Sequence, residues 1–248
     1  MASLTSGMIF TGIVSFLVFV SAFAAGLAIF RGKQKEDKLL SSYACFLLVT
    51  SGIWLFTGVR HFFGWLGMAD LDKTFYLIDQ IFVFISAPPL VYYVSLKLFH
   101  KEKLTKILAG LFSFTAFLGL FFIFTKGVNE SGVTYFASKF EPNKVSFYIF
   151  LFSVIPPFAG VFFDCFMRIG RWLFRRQITE SYEFFYSLVI LIYLGLGVFD
   201  EQGLIVGWGL VVFRLTYVAV FLMAYLTFYF QSSEKERFME TQEKNAGV

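Results

Sequence analysis

The chain has 248 residues, 58% of them apolar and 21% aromatic, with a net charge of +4 at pH 7 and a mean hydropathy of +0.72. A water-soluble fold of this length could not hide 37 phenylalanines without large sticky patches, so the composition excludes an ordinary soluble domain and makes lipid the main solvent. The positive charge, which elsewhere would suggest nucleic acid, is read here as basic loops beside a membrane, and no nucleic-acid partner is expected.

Crossing about 30 Å of hydrocarbon takes roughly 20 mainly apolar residues in a helix. Seven segments meet that requirement: Met8–Phe30, Leu39–Val59, Phe75–Phe99, Leu104–Thr125, Val145–Met167, Glu183–Phe199 and Leu204–Phe230. The predicted fold class is all-α, a polytopic seven-transmembrane helix bundle over residues 1–230 with a short charged tail over 231–248. The first span lacks a basic flank and is too long for a signal-peptide core, so it is read as retained. Its "SAFAAGLA" stretch offers a small-residue face for packing against a partner. The second span carries Gly52 and Trp54 in its outer third. The third enters with Asp79 and Gln80, is interrupted by Pro88-Pro89, and leaves at Lys97. The fifth repeats the interruption at Pro156-Pro157. "FISAPP" and "FSVIPP" put Phe84 and Phe152 in matching places, a faint hint of a duplicated helix pair. The sixth span is the shortest, and if it were re-entrant the C-terminus would change sides.

Between the spans, Lys and Arg are unevenly divided. Arg31, Lys33, Lys35 and Lys38, then Lys97, Lys101, Lys103 and Lys106, then Arg168, Arg171, Arg175 and Arg176, then Lys235, Arg237 and Lys244 fall on one side. Those are fifteen of the 21 basic residues, against Arg60, Lys73, Lys126, Lys139 and Lys144 on the other. The positive-inside rule then places the N-terminus outside and the C-terminus in the cytoplasm, in a cell membrane (the inner one in a bacterium). The long outer loops "RHFFGWLGMADLDK" and "KGVNESGVTYFASKFEPNK" supply Trp65, Tyr135 and Phe140 as expected interfacial anchors, and Asn129-Glu130-Ser131 matches a glycosylation sequon.

Arg214 is the most informative residue. It stands inside "GLVVFRLTYVAVF", about 15 Å along the axis from Leu204. A charge at the centre of a membrane helix costs about 2.5–17 kcal/mol, and arginine cannot shed its proton. It must therefore face protein or water. At 100° per residue Gly203, Gly207 and Arg214 share one helix face, and the glycine pair would permit close helix approach. Asp79 is the expected partner, with Asp164 a deeper second candidate and Asp200 and Glu201 acting through water. Either the pair fixes helix register, or it marks an anion or ligand site or a charge switch. Trp54, Arg60, His61 and Gln80 lie at a similar depth and would line an outer pocket. Pro88, Pro89, Pro156 and Pro157 remove backbone donors and kink their helices; the kinks either shape a pocket or act as hinges.

No HExxH, phosphate-binding glycine loop or GxSxG occurs, so no catalytic residues are assigned. His61 and His100 fall at opposite faces, and Cys45 and Cys165 read as small hydrophobes within apolar runs, so neither a metal nor a cofactor is expected. The seventh span lacks a lysine for a retinal Schiff base.

Taken together, "LLVTSGIWLF", "DQIFVFISAPPLVYYVSLKLFHKEK", the aromatic outer loop, "RIGRWLFRRQ" and a last helix running straight into the cytoplasm resemble the seven-helix N-terminal sensor region of membrane histidine kinases and related signalling proteins. The resemblance covers Met8 to Phe230. It implies a sensor whose last helix leads to an output domain. Residues 231–248 hold no such domain, so output would pass through a separate protein at the cytoplasmic face. The expected function is a non-enzymatic membrane sensor or signalling module; a small transporter or channel, and a structural subunit of a membrane complex, are the alternatives.

Overall fold

Inside a bilayer no water satisfies backbone N–H and C=O groups, so an apolar run closes its hydrogen bonds on itself as a helix. The computed structural model describes residues 6–33, 37–134, 136–175, 181–201 and 205–246. Its order is α1 (Ser6–Gly32), α2 (Lys38–Trp65), α3 (Ala69–Phe99), α4 (Glu102–Lys126), β1 (Val128–Val133), β2 (Ser138–Pro142), α5 (Lys144–Arg175), α6 (Ser181–Glu201) and α7 (Trp208–Ala246). Seven helices are long and apolar enough to cross a membrane, and the chain is an all-α, multi-pass bundle. The sixth, Tyr182–Asp200, is among them at 19 residues.

Consecutive helices pack on one another, α7 returns to α1, and α3 also touches α5. Lipid tails are as apolar as leucine, so such packing depends on fit rather than on expulsion of water. The small residues show it. Ala22, Ala25 and Gly26 of the "SAFAAGLA" face are buried inside the bundle, with Gly26 against Leu48 of α2. These three are spent internally, whereas Ala24 of the same stretch is exposed. Gly119 of α4 receives the ring of Phe84, which a β-carbon there would overlap. Phe152, the echo of Phe84, is instead half exposed and stacks on Phe112 of α4 at 5.7 Å.

Two ends can be distinguished. At one, short connections join α1 to α2 and α3 to α4; this is the basic end. His100 closes α3 there with a left-handed C-cap, φ 52°, and Asp37 caps α2 by accepting from the Leu40 amide at 2.9 Å. At the other end the α4–α5 connection, expected as a loop, is an antiparallel hairpin pairing Val128 with Pro142 and Glu130 with Phe140. Asn143 anchors it: its Nδ2 donates to the carbonyls of Phe122 and Gly127, and its Oδ1 accepts from the Ser146 amide. The bulge between Glu130 and Gly132 twists the ribbon.

α7 starts at Trp208, later than the predicted Leu204. Gly207 (φ 66°) turns the chain just before it, a conformation glycine adopts without strain. Gly207 is thus a turn residue, not half of a helix-packing pair; Gly203 lies outside the described residues, as do Lys35, Tyr135 and Arg176. Arg214 consequently lies about 9 Å into its helix rather than at mid-span.

Candidate functional site

Arg214 is buried against protein, 7% exposed. Its Nη2 donates to Asp200 Oδ1 at 3.3 Å, its Nη1 to Ser15 Oγ at 3.0 Å, and its guanidinium stands 5.6 Å from the Trp54 ring centroid. One side chain therefore ties α7 to α6, α1 and α2. The expected pairing with Asp79 is corrected: the ion pair is with Asp200. The late start of α7 is the reason, because it brings Arg214 level with the last turn of α6. Direct contact also replaces the water-mediated role expected of Asp200, and a neutralised guanidinium loses its reason to attract an anion.

Asp79 lies across the same space, with Thr57 Oγ1 donating to its Oδ2 at 3.3 Å. Arg60 is buried rather than solvated; its Nε meets Asp72 Oδ1 at 3.2 Å between the rings of Tyr76 and Phe140, at 4.8 and 5.2 Å. Phe140 thus packs inward on Arg60 and is not a headgroup anchor. His61 Nδ1 donates to the Thr57 carbonyl at 2.6 Å, an i to i−4 contact that fixes the ring on α2.

These groups line a cavity of about 200 Å³ at the hairpin end of the bundle. Trp54, Arg60, His61, Asp79 and Arg214, singled out from depth alone, all reach its wall; Gln80 is buried on α3 but lies off it. Tyr193 of α6, Tyr217 of α7 and the hairpin residues Phe136 and Phe140 complete the wall. Sequence reading missed them: aromatic residues are too common here to mark a site, and only the fold turns the hairpin over the bundle. Phe136 sits edge-on to Trp208 at 5.3 Å, fastening the hairpin to the start of α7.

The proline pairs sit at the depth of this cavity. α3 and α5 run through them without a break. Pro88 and Pro157 cannot donate to the carbonyls of Phe84 and Ser153, and both of those residues are on the cavity wall. The prolines thus free backbone acceptors where the bundle is hollow.

A second polar cluster lies at the basic end. Lys97 Nζ meets Asp164 Oδ2 at 3.1 Å and donates to Ser187 Oγ and the Glu183 carbonyl at 2.7 and 2.6 Å. Arg168 reaches Asp164 at 3.0 Å and Glu183 Oε2 at 2.7 Å. Asp164, considered as a partner for Arg214, belongs to this network instead, and Lys97 is a buried interhelical residue rather than a loop charge. The cluster ties α3, α5 and α6 together. Asp164 and Arg168 are one helical turn apart and their contact was readable; Lys97 and Ser187 come from other helices, and theirs was not.

Between the two sites Tyr43, Tyr93 and Tyr186 pack ring on ring, 5.1 and 4.9 Å apart, each almost fully buried. Among the described residues no group of three or more His, Cys, Asp or Glu is placed to hold a metal ion. Comparison with protein-family models, with curated proteins and with solved structures finds no match.

Proposed function

We propose that this chain is a non-enzymatic membrane receptor that binds a small ligand at the hairpin end and passes the response to a protein partner at the basic end. One observation carries the reading: a hollow of about 200 Å³ at the hairpin end of the bundle is lined by buried charged and aromatic side chains. Membrane helices do not bury ionisable groups without a use for them, and a preformed concave site with a few fixed polar groups suits a small ligand. The tyrosine group favours binding over passage, because large buried rings of α2, α3 and α6 fill the bundle beside the Lys97–Asp164 cluster, with Tyr93 Oη accepting from Lys97 Nζ at 3.4 Å. The resemblance to kinase sensor regions argues the same way. With the basic loops in the cytoplasm, the cavity faces outward and α7, which continues to Ala246 beyond its spanning part, carries the output.

A ligand shifts the bundle only if it binds two helix arrangements with different affinity. The proline-bearing α3 and α5, both on the cavity wall, are the elements that differ between them. The test is a small-molecule panel against the purified chain in nanodiscs, read as thermal stabilisation, alongside flux assays in proteoliposomes. Saturable stabilisation without flux is the expected result. Movement of a solute through the purified protein would overturn the receptor in favour of a small transporter.

A further inference from the structure

We infer that the cleft between α3 and α5 at the basic end binds an anionic phospholipid, its phosphate at the rim and its acyl chains along the wall, an assignment that does not depend on the receptor reading. The cleft has a volume of about 780 Å³. Its charges are unevenly committed. Lys97 meets Asp164 at 3.1 Å, and Arg168 meets Asp164 and Glu183 at 3.0 and 2.7 Å. Arg171, about one turn beyond Arg168 on the same wall, is exposed and enters no ion pair among the described residues. His100, which closes α3 with its left-handed C-cap, is exposed on the same rim. The rim thus presents a guanidinium fork, which suits phosphate oxygens, and an imidazole N–H, both accessible from outside the protein. Residues just beyond the cleft keep the same sign. Lys101 and Lys103 are exposed directly after His100, while the Glu102 carboxylate is taken by Lys38 and Lys106 at 2.7 and 2.8 Å. Such a field draws an anionic headgroup and opposes the ammonium of a zwitterionic one.

Depth selects a lipid over a free anion. The spanning parts of α3 and α5 run to Phe99 and to Arg171, so His100 and Arg171 stand at the level of the headgroups. Phe163, Phe166 and Met167 line the same cleft, are exposed, and lie about 6–12 Å deeper than Arg171 along α5. At that depth their surroundings are acyl chains, and a water-soluble anion has no use for them. Gly170, beside Arg171 on this wall, has nothing within 4 Å of its missing β-carbon, so the approach to the guanidinium is open. A basic rim above an apolar wall, in a cleft between two membrane helices, is the shape of an amphiphile with an acidic head.

Native mass spectrometry of the full chain in mild detergent tests the site with three probes: phosphatidylglycerol, phosphatidylcholine with the same acyl chains, and water-soluble glycerol phosphate. The first lipid adduct is expected to favour phosphatidylglycerol by about fivefold, roughly what one basic residue contributes at an anionic membrane surface, and glycerol phosphate is expected not to bind. Arg171→Gln is expected to abolish that preference. Arg31→Gln removes the same charge from an exposed position at the same end of α1 and should leave the preference intact. Gly170→Trp fills the cleft from α5 and is expected to abolish the preference with every charge in place; Gly170→Leu serves if the first variant does not fold. Equal binding of the two lipids would overturn the site. So would equal losses from Arg171→Gln and Arg31→Gln, which would reduce it to the general charge of this end, and so would a preference that survives the filled cleft. Glycerol phosphate binding as tightly as the lipid would make the cleft a site for soluble anions and end the lipid assignment.

Discussion

Arg214 and Asp200 meet at 3.3 Å although they are only 14 positions apart in sequence, the chain having turned back at Gly207 to bring the two helices level. Removing one partner leaves a charge without compensation in a medium that cannot hydrate it. Asp200→Asn is expected to cost about 3–5 kcal/mol, and Asp200→Leu with Arg214→Leu to recover much of that loss. Unfolding in mixed micelles measures both, and equal destabilisation by the single and double variants would contradict the pairing.

Lys97 holds α3 to α5 and α6 through Asp164, Ser187 and the Glu183 carbonyl. Lys97→Met leaves the Asp164 carboxylate with Arg168 and the Ser187 hydroxyl and is expected to destabilise the bundle by about 3 kcal/mol. A double-mutant cycle with Asp164→Leu should show coupling of about 0.5–3 kcal/mol. Simple additivity would remove the network from the fold's supports.

Gly119 accepts the Phe84 ring so closely that no β-carbon fits. Gly119→Ala is expected to cost about 1–3 kcal/mol by overpacking, and adding Phe84→Leu should return part of it. The readout is thermal unfolding. Gly110, with nothing near its missing β-carbon, is the control and should tolerate alanine.

Orientation is tested with Cys45→Ala and Cys165→Ala in place and one new thiol at a time. Asp70→Cys and Lys101→Cys lie exposed at opposite ends of α3 and its neighbour α4. An impermeant maleimide applied to intact cells should label position 70 and spare 101 until the membrane is opened. The reverse pattern would place the cavity on the cytoplasmic side.

Much of this architecture was legible because the bilayer imposes it: seven apolar runs had to become seven helices, and the cost of a lipid-facing guanidinium forced Arg214 inward. Depth along a span can be counted, so Trp54, Arg60, His61 and Asp79 could be placed at one level, and all four line the cavity. Which acid meets which base cannot be counted. The choice of Asp200 over Asp79 depends on where α7 begins, and a shift from Leu204 to Trp208 moved Arg214 by about one helical turn. Gln80 shows the other gap: one residue along a helix rotates a side chain by 100°, enough to take it off the wall. The hairpin escaped notice because its residues read equally well as an aromatic loop.

The three tyrosines between the two polar sites have a mechanical meaning. Densely packed interiors barely compress, so rings wedged among α2, α3 and α6 do not absorb a push from above. In the proposed receptor they would serve as a fulcrum: helices spread apart on one side of it would pinch together on the other. A change of a fraction of an ångström around an occupied hollow would then arrive, inverted in sense, at the charged ends that a neighbouring protein can feel.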